Sequence, residues 1–349
     1  MSAAATGRRN ALLFLNGGLG NGIILAPLLA ELERTLPGLR YWSPPNAMLE
    51  ADWVREAAGL RGPTAVLPTL WRRFRPADQP AIVEFCRQHD VTLIVNLRHE
   101  EWQRDGDYLD FRERAAGLGI ECWDMHEITE PEKLLPIGSQ AAACLRRHGV
   151  ETDGADAAWL AGYRAPRPGS TGICVGASTR PKRWPASRWS ELIGELGPVE
   201  VCSGPDESER EIARELAARH PGRVTLRLVD STTELRDWIG GLERLLTNDS
   251  LAVHLAAALG CPVVALYLAT DARIWSPLAL PGRFRAVQSG RARACAFMGA
   301  NGTCTNYYDV CFETCRDGVA AAEVLAAAGR LAPAGASTPD HRGEGAAAV

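Results

Sequence analysis

Two doubly wound, Rossmann-like α/β domains facing a central cleft are the fold class that this sequence predicts. Three observations carry the expectation. Short β-rich apolar runs alternate with amphipathic helical patterns along most of the chain. The alternation is interrupted at 162–172 by "GYRAPRPGSTG", which has two prolines, three glycines and no apolar periodicity. A length of 349 residues also suits two domains better than one. The expected division is a first domain at 8–162, a linker at 163–171, a second domain at 172–330 and a tail at 331–349. The tail is rich in Ala, Gly and Pro and is expected to be disordered. Sheets of this kind bind ligands beyond the carboxyl ends of their strands, so the cleft is the expected site.

In the first half, "ALLFLN" (11–16) reads as a strand and "GGLGNG" (17–22) as a loop. "IILAPLLAELERTL" (23–36) reads as a helix stopped by Pro37 and Gly38. Further strands are expected at 39–43, 92–97 and 120–125, and helices at 47–58, 79–89 and 132–148. After the linker, strands are expected at 172–176, 199–202, 223–228, 244–247 and 262–268. Trp189, Leu192, Ile193 and Leu196 fall at i, i+3, i+4 and i+7, one face of a helix. Ile212 with Leu216 marks a second helix, and Leu235, Trp238, Ile239 and Leu242 mark a third.

The bulk numbers narrow the function. A hydrophobic content of 46% and a charged content of 23% are those of a soluble globular chain. A net charge of -4 lacks the basic footprint of a nucleic-acid binder. The apolar run 11–15 is too short for a signal peptide core. The stretch 251–268 is broken by Gly260-Cys261-Pro262, so it reads as helix, turn and strand rather than a membrane span. The expected compartment is the cytoplasm.

Three segments carry candidate chemistry. "STRPKRWPASRWSEL" (178–192) puts Arg180, Lys182 and Arg183 where a strand hands over to a helix, with Pro185 suited to the first helical position. A helix N-terminus is already positive, so added cations there suit an arriving anion such as phosphate; a solvated basic cap is the plainer alternative. The Gly-Lys-Ser/Thr of a Walker A loop is missing. In "CSGPDESERE" (202–211), Asp206 and Glu207 follow a strand, either to accept ribose hydroxyls or to serve as an acidic first helical turn. In "LLTNDSLAVHLAAALGCPVVALY" (245–267), Asn248, Asp249 and Ser250 end a strand and cap a helix, and His254 lies one turn inward.

In this order, with "W.PL" after them, the three segments resemble the nucleotide-binding half of glycosyltransferase family 9, the ADP-heptose:lipopolysaccharide heptosyltransferases. "FLNGGLGNGIILAPLLAELERTLPG" at the start is similar to that family's first strand, loop and helix. The likeness is good at 11–38 and 170–320 and weak at 40–165. It implies a GT-B fold and an inverting transfer of heptose or a related sugar from a nucleotide diphosphate donor, ADP-linked in the family. The acceptor is left open among a saccharide, a protein and a natural product. The resemblance implies that Ser178, Thr179 and Lys182 hold the diphosphate from one side. Asp249, Ser250 and Leu251 hold it from the other, with Glu207 at the ribose; His254, one turn inward by helical spacing, joins the donor-binding set if that helix end faces the cleft. It implies no cofactor for the transfer, since lysine and helix termini carry the diphosphate charge. A non-catalytic nucleotide-sugar-binding protein of the same fold is the alternative.

Two positions depart from the family pattern. The aspartate expected in the first loop as general base is replaced by Asn21, whose amide has no useful basicity near neutral pH. Replacement bases are sought among His99, Glu100, Glu101, Asp124 and His126. The candidate catalytic set is Asn21, Lys182, Glu100 and Asp124. Leu251 stands where the family usually has glycine, which narrows or shifts the diphosphate site.

Ten cysteines are present. Cys86, Cys122, Cys144, Cys174, Cys202 and Cys261 lie in or beside apolar segments and read as small buried hydrophobes. Cys295, Cys304, Cys311 and Cys315 form C-x8-C-x6-C-x3-C, without the C-x2-C knuckles of zinc ribbons. The resemblance extends to a cysteine-rich segment before the last helix in some family members, with iron in protein-modifying relatives. A structural zinc or iron at these four thiols is the expectation, with packed free thiols as the alternative.

Overall fold

The computed structural model describes residues 9–67, 76–98, 106–152, 157–293, 295, 297–299, 302–304 and 315–332. The chain divides into two compact units. The first is built from the described residues of Met1–Trp159, Ala269–Leu278 and Gly290–Phe312, and the second from those of Leu160–Leu268, Ala279–Ser289 and Glu313–Val349.

The first unit is built on a parallel five-stranded sheet. Its strands are β1 (Asn10–Leu15), β2 (Arg40–Ser43), β3 (Ala65–Val66), β4 (Leu93–Leu97) and β5 (Glu121–Asp124), in the order β3-β2-β1-β4-β5. Nearly every residue of β1 and β4 is buried, as a parallel strand covered on both faces requires. Leu12, Phe14 and Ile94 pack on one face with Ile82, Tyr108 and Phe111. The helix Leu19–Thr35 follows β1 and buries Ile23, Leu25, Leu28, Leu29 and Leu32.

The second unit repeats the plan with six parallel strands. These are β6 (Thr171–Cys174), β7 (Val199–Ser203), β8 (Val224–Leu228), β9 (Arg244–Asn248), β10 (Val263–Tyr267) and β11 (Phe284–Gln288), in the order β11-β10-β9-β6-β7-β8. Trp184, Trp189, Leu192 and Ile193 pack against Ile173, Val175, Leu246 and Val264. The last described helix, Ala321–Gly329, adds Val324 and Ala328 to the same core. Two α/β units, each with a Rossmann-like parallel sheet, are the architecture expected.

Several local readings change. The helix after β1 begins at Leu19, because the Gly18 carbonyl accepts from Asn21 N (3.1 Å) and Gly22 N (3.4 Å). Asn21 therefore lies in a first helical turn, not in a loop. The expected helix 47–58 is two helices, Ala47–Glu50 and Asp52–Ala58, parted at the extended Ala51. Pro136 caps Ile137–Arg147, so the expected helix from 132 starts five residues later, after a single turn at Glu132–Leu134. The helix Gly106–Gly117 and strands β3 and β11 carry patterns too short or too mixed to announce themselves. The Pro/Gly stretch at 163–171 is hydrogen bonded, from Ala165 N to Gly240 O and from Arg167 N to Gly241 O (3.0 Å each). At the tail, Ala332 N donates to Gly282 O at 2.9 Å, and 333–349 lie outside the described residues. Among the described residues no helix is long and apolar enough to cross a membrane.

Gly22 shows how tightly the first helix is seated. A Cβ there would lie 2.4 Å from Asn46 Oδ1 and 2.6 Å from Met48 Cβ. Asn46 cannot retreat, because its Oδ1 accepts from Met48 N (3.0 Å) and its Nδ2 donates to Gly18 O (3.1 Å). Gly22→Ala should therefore cost about 1–3 kcal/mol through overpacking. Urea unfolding checks this, and an unchanged midpoint would contradict the contact.

Candidate active site

Both sheets reverse their strand order at the first strand. In the second, the chain runs from β6 outward to β7 and β8, then crosses back to place β9 on the other side of β6. The loops leaving the carboxyl ends of β6 and β9 diverge, which leaves a crevice where ligands bind in such folds. The segments 175–185 and 249–250 are those two loops.

The loop after β6 runs 175–179 without regular structure, makes one tight turn at Arg180–Lys182, and enters the helix Ala186–Glu195 with Pro185 as its cap. Pro185 thus precedes the first helical position, and the basic residues sit on the turn before the helix rather than at its N-terminus. Lys182 reaches across the crevice, its Nζ 2.8 Å from Asp249 Oδ2, with side chains 17% and 4% exposed. Ser250 caps the helix Leu251–Leu259, its Oγ accepting from Ala252 N at 3.3 Å. Ser178, Thr179, Lys182, Asp249 and Ser250 thus lie on the two loops of one switch point, and Leu251 opens the helix that follows the second.

Four buried polar atoms along this carboxyl edge have no hydrogen-bond partner: Thr179 Oγ1, Ser203 Oγ, His254 Nδ1 and Ser289 Oγ. Buried polar groups are nearly always paired, so these four, at or after the ends of β6, β7, β9 and β11, stand out. His254 lies one turn into Leu251–Leu259. Burial pushes its imidazole down to about 4, Asp249 pulls the other way, and Lys182 adds to the depression. It is a neutral ring at physiological pH.

Glu207 opens the helix Glu207–Arg219, exposed and paired with Arg214. Asp206 is the cap, accepting from Glu209 N at 3.1 Å. The buried carboxylate of this segment is Glu209, which sequence reasoning passed over. Its signal was the i+3 position of a capped helix start, a pattern that usually marks only a capping box.

The first sheet reverses between β1 and β4. Asn21 follows β1 and is half-buried. His99, Glu100 and Glu101 follow β4 in sequence but lie outside the described residues, as does the side chain of His126. Asp124 ends β5, one strand away from the switch. It is fully buried, Tyr108 donates to its Oδ1, and Arg112 Nε lies 3.1 Å from its Oδ2. Both oxygens brace the helix Gly106–Gly117, an arrangement for structure rather than for taking an acceptor's proton.

Of the scattered cysteines, five are buried and Cys122 is half-buried. Cys295, Cys304 and Cys315 are half-buried; Cys295 Sγ accepts from Phe297 N at 3.4 Å. Cys311 lies outside the described residues, and among those described no three His, Cys, Asp or Glu side chains gather to hold a metal.

The neutral His254 makes a pH prediction. The unfolded chain takes a proton here near 6.5, while the folded chain does so only near 4. Stability should therefore fall as pH drops from 6.5 to 4, by roughly 3 kcal/mol from this group. Urea midpoints across that range should flatten in His254→Asn relative to wild type. Parallel curves would show that the buried ring is not the source.

The glycosyltransferase family 9 (heptosyltransferase) model matches residues 138–293. No curated protein matches the chain. Among solved structures, a glycosyl transferase family 9 protein from Veillonella parvula DSM 2008 is similar with a TM-score of 0.59 at 15% identity, covering 92% of this chain and 96% of that one. The E. coli heptosyltransferase WaaC with ADP is similar with a TM-score of 0.54 at 15% identity, covering 91% and 98%. WaaC with ADP-2-deoxy-2-fluoro heptose gives 0.51 at 16% identity, covering 84% and 97%. At such identities the likeness speaks for the fold. The switch-point loops of the second sheet lie inside the segment 138–293 that the family model matches, and the solved structures share the two-unit, Rossmann-like GT-B fold.

Proposed function

We propose that the protein is an inverting glycosyltransferase. It takes a sugar, heptose or a close relative, from an ADP-linked diphosphate donor and passes it to a saccharide, protein or natural-product acceptor. The observation that carries this reading is the pairing of Lys182 with Asp249 across the switch point of β6 and β9, beside the orphaned Thr179 Oγ1 and His254 Nδ1. An ammonium has three N–H donors, so Lys182 can hold Asp249 and a phosphate oxygen together. Thr179 and Ser178 supply hydroxyls, and the N-terminus of Leu251–Leu259 supplies backbone N–H groups. In the transfer the bond between the anomeric carbon and the diphosphate oxygen breaks, and the leaving diphosphate gains charge. Fixed cations and N–H dipoles stabilise that charge. Glu207 is proposed to accept ribose hydroxyls, which requires it to leave Arg214.

The acceptor hydroxyl must lose a proton as it attacks. Asn21 cannot take it but can orient the hydroxyl. We place the base among His99, Glu100 and Glu101, because they follow the first sheet's switch strand β4, whereas Asp124 is closed off by Tyr108 and Arg112. Asn21 also motivates the second reading, a nucleotide-sugar-binding protein without turnover. A structural zinc or iron at the cysteine segment is a separate proposal that turns on Cys311. Purified protein should then carry about one equivalent of metal, lost in Cys304→Ser; metal-free protein would reject it.

Lys182→Ala should weaken the best-bound of ADP, UDP and GDP by roughly 10- to 100-fold, the worth of one charge-assisted contact. It also leaves Asp249 buried beside a neutral ring, so some stability is lost. Lys182→Met with Asp249→Asn removes both charges, which should restore the melting temperature and leave affinity low. Calorimetry decides, and unchanged affinity in both variants would end the phosphate role. Nucleotide release from the matched sugar donor, with and without acceptor, separates the two readings. An enzyme should slow only moderately in Asn21→Ala and by about 10²- to 10⁴-fold when its base is removed from 99–101. A binding protein should release nothing.

A further inference from the structure

The cations of "RPKRW" divide between two jobs. Lys182 turns toward Asp249, as described. Arg183 turns the other way, toward the start of the helix Glu207–Arg219. Its Nη2 is 3.1 Å from Glu209 Oε1, and its Nη1 donates to Ser208 Oγ at 2.6 Å and lies 3.5 Å from Asp206 Oδ1. Its Nε donates to Ala177 O at 2.9 Å. The same Glu209 oxygen accepts from Ala177 N, also at 2.9 Å. The N–H and the C=O of Ala177 are thus gripped by two side chains that grip each other.

The grip is close as well as complete. A Cβ on Gly176 would lie 2.5 Å from Glu209 Oε2, so only glycine lets the carboxylate come this near the backbone. Burial pushes the Glu209 carboxyl up, while Arg183 and the Ala177 N–H act to keep it ionised. The far end of the loop is held too, by Arg316 Nε donating to Arg183 O at 2.7 Å.

We infer that Glu209 and Arg183 are positioning residues for the anion loop: by setting the backbone of Ala177 they hold Ser178, Thr179 and Lys182 in the conformation that receives the diphosphate half of the donor. This rests on the donor-site reading above. It assigns work to a largely enclosed ion pair that lies outside the proposed diphosphate contacts. A pair that merely braced the helix against the sheet would affect stability and leave no preference for one part of the ligand. A pair that positions the anion loop affects the phosphates and spares the nucleoside.

The test uses the full chain and three probes: the best-bound of ADP, UDP and GDP, its parent nucleoside, and inorganic pyrophosphate. The variants are Arg183→Met, Glu209→Ala and Glu209→Gln, with folding checked by circular dichroism. Arg183→Met and Glu209→Ala should weaken the nucleoside diphosphate and pyrophosphate tenfold or more by calorimetry. Nucleoside affinity, followed by ligand-observed NMR, should stay within twofold. Glu209→Gln keeps an oxygen for Ala177 N and should recover part of the loss. Should Glu209→Ala fail to fold, Glu209→Gln and Gly176→Ala carry the same comparison, since each disturbs the grip without emptying it. Equal losses for nucleoside and diphosphate, or no loss in any variant, would overturn the inference. Wild type that binds none of the three diphosphates would overturn the donor-site reading itself, a separate result.

Discussion

One buried amide holds the second unit's crevice in shape. Asn248 ends β9 with no exposed surface; its Nδ2 donates to Val175 O at 2.7 Å and its Oδ1 accepts from Trp184 N at 3.1 Å. Val175 begins the loop after β6 and Trp184 ends it. A single side chain from the neighbouring strand therefore fixes both feet of that loop, and does so with groups that would otherwise be buried and unpaired. The amide offers a donor and an acceptor on separate atoms of one short stem, which a carboxylate or an aliphatic residue cannot copy. Trp184 is then free to pack edge-on to Trp189 and to donate from Nε1 to Val319 O at 3.2 Å, which draws the C-terminal segment onto the same core.

With its feet pinned, the loop can carry charge without collapsing. Burying ions is costly unless they are paired and hydrogen bonded. The crevice meets this cost locally: Lys182 with Asp249 on one side of the loop, Arg183 with Glu209 on the other. The two pairs differ in what remains. Arg183 uses Nε, Nη1 and Nη2 on protein partners, so its charge is satisfied in place. Lys182 is a point charge with rotatable donors, and it sits beside hydroxyl and imidazole atoms that lack partners. On the proposed reading, Arg183 sets the loop and Lys182 shares its charge between Asp249 and the arriving anion.

Much of this was legible in the sequence because parallel α/β units announce themselves through alternating apolar runs. The switch-point loops were legible too, since Ser178, Thr179, Lys182 and Asp249 each follow such a run. The role of Arg183 was not. In sequence it is one of three adjacent cations, and only the fold brings Glu209, twenty-six positions on, to its side. Asn248 read as the end of a strand, because nothing local marks an amide whose partners belong to another loop. Asp124 misled in the opposite direction. A carboxylate at a strand end resembles a base until Tyr108 and Arg112, from a helix the pattern did not reveal, are seen to enclose it. Local periodicity reports elements; long-range polar pairing is invisible to it.

The two sheets share a topology and differ in chemistry at the same place. Each reverses at its first strand, so each sends a glycine-bearing loop from the carboxyl end of that strand. In the second unit that loop is charged and cross-tied by ion pairs. In the first it is neutral: Gly17 and Gly18 are exposed, and the loop is tied by Asn46 through Gly18 O. Neutral amides bind and orient hydroxyl groups without shifting their protons, while paired cations favour anions. On the proposed reading, the charge of the reaction is therefore handled in the second unit, and the first unit's task at Asn21 is geometric. That assignment explains how an amide can stand where the family resemblance leads one to expect a carboxylate, provided that proton removal falls to the segment after β4.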